Sequence, residues 1–292
     1  MIYIKLLLTA IFWGGTFVAG RMAAGHMEPF SGSFLRFLFA SIFLFFVIRH
    51  QEGRLPKLKK NQIIPVLALG MTGVFFYNFF FFKGLQLIEA GRASLIIANN
   101  PIFIALLSAW FFKERLSLKK IIGIVISVLG ALVAISRGNI HDIVNGGIGP
   151  GELYIFGAVA SWVSYSLIGK QVMKHISPVA AVAYSSMAGT IALLIPALYE
   201  GMPKALLDYS LTDWACLLYL GFFGTVIGFV WYYQGIQRIG PMKAGLFINF
   251  VPVSAIILAF FITGEPITPS LFIGATLVSA GVFLTHSRAT SK

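Results

Sequence analysis

Ten long apolar runs occupy almost the whole chain and constrain its fold more than any other feature. Each has about the 20 residues that a helix needs to cross the hydrocarbon core of a bilayer. The runs cover residues 3–22, 30–48, 63–82, 92–112, 120–136, 152–172, 178–199, 213–233, 242–262 and 270–287. Only 11% of the 292 residues are charged, against about 25% in soluble domains. The sequence therefore predicts an all-α integral membrane protein with ten transmembrane helices.

The basic residues are unevenly distributed between the two ends of these runs. The chain has 22 Lys and Arg against 10 Asp and Glu, a net charge of +12. With a cytoplasmic N-terminus, sixteen Lys and Arg fall on the cytoplasmic side and five on the outer side. Because cytoplasmic loops retain Lys and Arg, we expect both termini to be cytoplasmic. This distribution explains the net charge without a nucleic-acid partner.

The second half of the chain repeats the first. Residues 84–137 align without a gap to residues 235–288, which pairs Pro101 with Pro252 and Glu114 with Glu265. The N-terminal parts align at an offset of 149 residues, which pairs Trp13 with Trp162. Residues 1–144 and residues 145–292 thus form two repeats of five spans each. An odd number of spans places the second repeat in the membrane upside down.

Loop charges agree with this inversion. The loop after the fourth run carries Lys113, Arg115, Lys119 and Lys120, whereas the matching positions are Gly264, Pro266, Ser270 and Leu271. Inverted repeats characterise secondary transporters, whose substrate lies near the midplane between the copies. We therefore expect a small-molecule substrate in a central cavity between the two halves. A duplicated but passive helical bundle is the alternative.

Short motifs recur in order along the chain. They are Phe12 to Phe17 (FWGGTF), Pro29 followed by Arg36, and a segment from Pro101 through Glu114 to Gly130 that recurs as Pro252, Glu265 and Gly281. With them the chain resembles the EamA-type transporters of the drug/metabolite transporter superfamily. The resemblance implies ten helices, cytoplasmic termini, a central cavity and export of amino acids or other small metabolites. The halves differ at Arg36, which corresponds to Ser185.

Arg36 lies well inside a predicted span, whereas the other Lys and Arg lie in loops or near span ends. It is about six residues into the second run, roughly 9 Å below its outer end at 1.5 Å per residue. An ionisable side chain at that depth is a functional candidate. Its stem either extends to the outer interface or caps a neighbouring helix. Alternatively, Arg36 attracts a substrate carboxylate or stabilises a gate.

Amide and aromatic side chains supply further candidates for substrate binding or gating. The amides are Asn78, Asn99, Asn100 and Asn249, and the aromatic residues are Trp13, Tyr77, Trp162, Tyr165 and Tyr232. Pro101 and Pro252 each remove a backbone N–H and so predict hinges in the fourth and ninth spans. Interhelical hydrogen bonds are an alternative role for the amides, and interfacial belts are an alternative for the aromatic residues.

Two smaller sets of residues have local explanations. We expect Glu114 and Glu265 to accept hydrogen bonds at the start of the helices that follow them, where the helix dipole favours an anion. Small residues in the fifth and tenth spans permit close helix approach, within one chain or in a homodimer; they are Gly123, Ser127, Gly130, Gly274 and Gly281.

The sequence predicts no cofactor or metal site. The five His are scattered over helix ends and loops, Cys216 is the single cysteine, and no Gly-x4-Gly-Lys-Ser/Thr motif is present. An intramembrane enzyme is therefore the weaker alternative, beside a passive channel or a membrane-embedded sensor. We expect a multi-pass protein of the plasma membrane, in particular a bacterial inner membrane, surrounded by the lipid bilayer.

Overall fold

The computed structural model describes residues 1–53, 55–112, 118–135 and 148–286, and within these ranges it is helical without a β-strand. The first half contains α1 (Ile2–Ala24), α2 (Pro29–Glu52), α3 (Lys60–Leu69), α4 (Tyr77–Leu87), α5 (Ala90–Ile97), α6 (Asn100–Phe112) and α7 (Leu118–Ile135). The second half contains α8 (Pro150–Val172), α9 (Pro178–Tyr199), α10 (Met202–Ala205), α11 (Leu211–Tyr219), α12 (Gly228–Gly245), α13 (Phe250–Thr263) and α14 (Pro269–His286). The loop residues Lys113, Glu114 and Arg115 lie outside the described residues.

Six stretches of helix in the described residues are long and apolar enough to cross a membrane. They are Ile2–Ala24, Pro29–Glu52, Lys60–Leu87, Pro178–Tyr199, Leu211–Pro241 and Lys243–Thr263. Shorter apolar helices cover Ile121–Gly130 and Pro269–Gly281. Helices α5, α6 and α8 occupy the remaining predicted runs. These lengths and compositions define a multi-pass membrane protein.

Wide π-helical turns interrupt one long helix in each half. Gly70–Phe76 joins α3 to α4, and Leu220–Ile227 joins α11 to α12. The two segments occupy equivalent positions, since Gly73 corresponds to Gly224 at the offset of 151 residues. In π-turns the i→i+4 ladder is interrupted, and such turns occur frequently at functional sites.

Both predicted hinge prolines lie beside irregular backbone. Ala98 and Asn99 separate α5 from α6, and Pro101 is the second residue of α6. The 3₁₀ segment Leu246–Asn249 precedes α13, in which Pro252 is the third residue. The helices of the fourth and ninth runs are therefore interrupted just before each proline. Because proline has no backbone N–H, it leaves no donor unpaired in the first turn of a helix.

Helices α7 and α14 pack against each other through small residues. A Cβ on Gly130 would lie 2.7 Å from the backbone nitrogen of Val278, and a Cβ on Gly281 would lie 2.4 Å from that of Ser127. Only glycine fits at such contacts. Residues of the two predicted small faces therefore serve packing within the chain, and the predicted dimer remains untested.

Helices α2 and α9 pack along each other in opposite directions, and their ends are joined by carboxylates. Near the start of α2, Glu200 accepts hydrogen bonds from the backbone N–H groups of Phe30 (3.1 Å) and Ser31 (2.7 Å). At the other end, Glu52 accepts one from the hydroxyl of Ser177, the N-cap of α9. The end of each helix thus contacts the start of the other.

Candidate substrate site

A buried cavity lies between the two halves of the chain. It is lined by five predicted site residues, Trp13, Arg36, Tyr77, Asn100 and Trp162, and by Thr16, Phe17, Ile97, Phe229, Ile248 and Val251. These residues come from α1, α2, α4, α5, α6, α8, α12, the 3₁₀ segment and α13. The irregular backbone before each hinge proline therefore lies at the cavity wall.

Arg36 is the charged residue among the described residues that line this cavity. Only 2% of it is exposed. Its Nη1 donates to Oδ1 of Asn78 (2.9 Å), and its Nε donates to Oγ1 of Thr225 (3.2 Å). Both acceptors are neutral, and within the described residues Arg36 forms no ion pair. The guanidinium remains protonated in proteins, so the cavity carries a positive charge that no described carboxylate balances.

The partners of Arg36 are themselves held in place by the π-helical segments. The Asn78 amide Nδ2 donates to the carbonyl of Val74 (2.8 Å), which directs Oδ1 towards the guanidinium. The Thr225 hydroxyl also donates to the carbonyl of Leu220 (3.1 Å), five residues earlier. The irregular helical turns therefore supply the backbone acceptors that orient both partners. Such fixed hydrogen bonds hold one face of the guanidinium, as a preorganised binding site requires.

Aromatic rings form a second part of the cavity wall. The rings of Trp13 and Trp162 have centroids 5.2 Å apart, and Phe229 lies 5.0 Å from Trp162. Tyr77 lies 5.2 Å from Trp162. The indole Nε1 of Trp13 donates to the carbonyl of Gly224 (2.9 Å). The site therefore combines one cation with a rigid aromatic surface.

The cavity is closed in this conformation. Its volume is about 20 Å³, and a cavity needs about 10–15 Å³ to hold one water. A solute larger than one or two waters therefore enters only after helices around the cavity move apart.

The remaining candidates lie behind or beside the cavity. Tyr165 and Tyr232 are fully buried, with their hydroxyls 3.4 Å from those of Ser185 and Ser166. Asn99 accepts a hydrogen bond from Ser127 of α7 (3.1 Å), as the interhelical alternative predicts. Within the described residues, the buried Oδ1 of Asn249 has no hydrogen-bond donor. None of the four is among the described cavity-lining residues.

Two residues that complete the polar cluster and the aromatic wall were not predicted from the sequence. Thr225 binds Arg36, and Phe229 completes the aromatic wall. Thr225 lies in an apolar run in which nothing distinguishes it from other threonines. Phe229 corresponds to Asn78 at the repeat offset of 151 residues, so the repeat alignment could have indicated it.

Carboxylates join helices at the edge of the bundle that the charge pattern assigns to the outer side. The prediction that Glu265 binds the start of its own following helix is wrong. Its carboxylate accepts hydrogen bonds from the N–H groups of Ala90 (3.1 Å) and Gly91 (3.2 Å), at the start of α5. At the start of α14, the hydroxyl oxygen of Thr268 instead accepts a hydrogen bond from a backbone N–H. Glu152 forms an ion pair with Arg92 across α8 and α5 (3.0 Å).

The chain is a multi-pass membrane protein whose helices surround a charged cavity, an arrangement that a transporter requires. Comparison with known proteins gives the family. The EamA-like transporter family matches residues 1–136 and 149–287. The chain belongs to this family, and its general role is that of a transporter rather than an enzyme.

Named relatives agree with this role. The uncharacterized transporter YyaM of Bacillus subtilis is 33% identical over 282 residues, which cover 96% of this chain and 92% of the relative. A probable amino-acid metabolite efflux pump of Salmonella typhimurium is 29% identical, with 95% and 92% covered. A probable terminal-alkyne amino-acid exporter of Streptantibioticus cattleyicolor is 28% identical, with 98% and 94% covered.

A crystal structure shares the fold. It aligns with a TM-score of 0.68 and 22% sequence identity over 96% of this chain and 95% of the other.

Proposed function

We propose that the protein exports amino acids or other small organic metabolites by alternating access through the cavity between its halves. The observation that carries this proposal is the position of Arg36, a buried cation in an aromatic cavity. A buried charge without a counter-ion is costly, and a solute carboxylate would balance it. The relatives named as an amino-acid efflux pump and an amino-acid exporter favour the same class of solute.

The proposal includes ten membrane helices in two inverted repeats of five. Reciprocal contacts support this arrangement: Trp13 contacts its equivalent Trp162, and Ser41 lies 3.1 Å from its equivalent Thr190. Two equivalent residues that contact each other are expected near a two-fold axis. The charge pattern supports cytoplasmic termini, and we place the protein in a bacterial inner membrane.

In this mechanism the broken fourth and ninth spans open the cavity in turn. Ile97 and Asn100 flank one break, whereas Ile248 lies within the other and Val251 just after it; all four line the cavity. Movement of α5 away from α8 and α13 would open the outer side, and the equivalent movement of residues 241–248, at the cytoplasmic end of the ninth span, would open the other. Pro101 and Pro252 are the proposed hinges. Outward opening would separate Arg92 from Glu152 and Ala90 from Glu265.

Counterflow into proteoliposomes tests the proposal. The purified protein is reconstituted into vesicles loaded with a bacterial metabolite extract, and uptake from an isotopically labelled extract is followed by mass spectrometry. A carrier exchanges one or more metabolites, with saturation and with stimulation by the internal pool. A passive channel would show no such stimulation, and a sensor would show no flux above protein-free vesicles.

A further inference from the structure

A groove between α3 and α8 opens at the end of the bundle that the charge pattern assigns to the cytoplasm. Its volume is about 510 Å³, in the range of about 300–1,000 Å³ that small-molecule sites occupy. It shares none of its described lining residues with the central cavity. The function proposed above leaves this groove unused.

Basic and amide side chains line the polar end of the groove. Lys174 and His175 are exposed just after the end of α8, and Asn61 and Gln62 lie in the first turn of α3. The start of a helix favours an anion, and none of the described lining residues is acidic. Among the residues that the structure describes, Lys174 and His175 have no ion-pair partner. This end of the groove therefore favours a negatively charged group.

Apolar side chains line the rest of the groove. Ile64 and Ile168 belong to this part, and Ile64 is 77% exposed although it lies in the membrane-spanning stretch Lys60–Leu87. Between Asn61 and Ala68, both of which line the groove, α3 rises roughly 10 Å at 1.5 Å per residue. The groove therefore extends from the membrane surface into the hydrocarbon.

The other repeat fills the equivalent place with an ion pair. His175 corresponds to His26 at the offset of 149 residues, and Gln62 corresponds to Asp213 at the offset of 151. Nδ1 of His26 lies 3.2 Å from Oδ1 of Asp213, which joins the end of α1 to α11. In the groove the neutral Gln62 replaces that carboxylate. The basic side of the groove thus lacks the anion that its counterpart has.

One carboxylate comes close to this end of α8 without lining the groove. Glu52 accepts a hydrogen bond from the hydroxyl of Ser177, two residues after His175, and it is not among the described lining residues. Lys59 and Lys60, which are exposed at the start of α3, add positive charge at the opposite wall. The surroundings of the groove therefore remain positive.

We propose that this groove binds an anionic phospholipid, with the phosphate at Lys174 and His175 and an acyl chain along Ile64 and Ile168. Basic pockets between membrane helices bind the headgroups of such lipids. The phosphate would take the place of the carboxylate that Asp213 supplies in the other repeat. The lipid matches both parts of the groove, whereas a water-soluble phosphate ester would contact the polar end alone.

Lipid titration followed by native mass spectrometry tests this site. The protein is purified and delipidated in a neutral detergent, and it is titrated with dioleoyl phosphatidylglycerol or with dioleoyl phosphatidylcholine, which has the same chains and no net charge. We expect the anionic lipid to bind about fivefold more tightly, the scale of one basic residue at an anionic membrane surface. The soluble headgroup analogue glycerophosphoglycerol should not displace it at equal concentration.

The double variant Lys174→Gln, His175→Gln removes the proposed phosphate contacts, and we expect it to lose the preference for the anionic lipid. Its melting temperature in neutral detergent reports whether it is folded. The matched control is Lys119→Gln, Arg238→Gln, which removes two exposed cations that the charge pattern assigns to the same side of the membrane. This control should keep the native preference.

A second variant needs no loss of a basic residue. Gln62→Asp introduces the carboxylate that the other repeat carries, so we expect it to pair with His175 and to weaken binding of the anionic lipid by about fivefold. Gln62→Asn is the neutral control and should bind as the native protein does. Because the same residue type is tolerated at the equivalent Asp213, this variant also tests the site if the double variant fails to fold.

Three results would overturn the proposal. The first is equal binding of the two lipids by the native protein. The second is an unchanged preference for the anionic lipid in the folded double variant or in Gln62→Asp. The third is displacement of the lipid by glycerophosphoglycerol at equal concentration, which would assign the groove to a soluble phosphate ester.

Discussion

The indole rings of Trp13 and Trp162 meet edge to face, with planes at 87° and centroids 5.2 Å apart. The two residues occupy equivalent positions of the two halves, so each half contributes one indole to the cavity wall. Nε1 of Trp13 also donates a hydrogen bond to the carbonyl of Gly224, which lies in the same π-helical segment as Thr225. A change at Trp13 therefore affects both the wall and the segment that orients Arg36.

Trp13→Phe should destabilise the protein by about 1–3 kcal/mol, because it leaves the buried Gly224 carbonyl without its donor. The measurement is thermal unfolding of the purified protein in detergent. Trp214→Phe is the control, since that ring is partly buried against Phe39 and Tyr209 away from the cavity. Equal melting temperatures for Trp13→Phe and the native protein would contradict the role of this hydrogen bond.

Gly130→Ala should destabilise the protein by about 1–3 kcal/mol, the usual cost of overpacking. The added Cβ would meet the backbone of α14, which has no side-chain freedom with which to yield. Gly25→Ala is the matched control, because its Cβ would have its nearest contact at 3.5 Å. A variant that keeps its stability but changes its oligomeric state, measured by light scattering, would favour the dimer interface instead.

Arg92→Met should destabilise the protein by about 3–5 kcal/mol, because it leaves the Glu152 charge buried without its partner. The double variant Arg92→Met, Glu152→Met removes both charges and should regain much of that loss. Denaturant unfolding of the native protein and both variants checks the order. A double variant less stable than Arg92→Met would show that Glu152 acts mainly through Gly149, whose N–H it also accepts (3.0 Å).

Thiol labelling tests the inverted arrangement. In a Cys216→Ser background, Lys204→Cys and Lys174→Cys place single thiols at exposed positions that the proposed topology assigns to opposite sides. We expect a membrane-impermeant maleimide to label intact cells only at residue 204, and residue 174 only after permeabilisation. The reverse pattern would invert the topology, and labelling of both in intact cells would contradict the proposed span count.

Much of this architecture could be predicted from the sequence. Length and apolarity located the six helical stretches of the described residues that are long and apolar enough to cross a membrane, because a bilayer sets the length of a helix that crosses it. The repeat paired Trp13 with Trp162 and Pro101 with Pro252, and the structure places the first pair in contact and the second pair beside breaks in two helices. The depth of Arg36 in its span indicated a buried charge.

Side-chain direction could not be predicted in the same way. Asn99 and Asn100 are adjacent, yet one binds α7 and the other lines the cavity, because successive helical residues point about 100° apart. Which of them faces inward depends on the break at Ala98 and Asn99. Glu265 shows a second limit, since its partners Ala90 and Gly91 are brought near only by tertiary packing.

The most direct test of the central claim is the export activity of Arg36→Ala. Mass spectrometry of the medium compares cells that produce the native protein, the Arg36→Ala variant and the control Arg49→Ala, an exposed arginine at the end of the same helix, at equal membrane abundance. We predict a metabolite that accumulates outside with the native protein and with Arg49→Ala. Its export should fall by about 10- to 100-fold in Arg36→Ala, the scale of a lost charged hydrogen bond. Equal export by Arg36→Ala would contradict the claim that this arginine binds the transported solute.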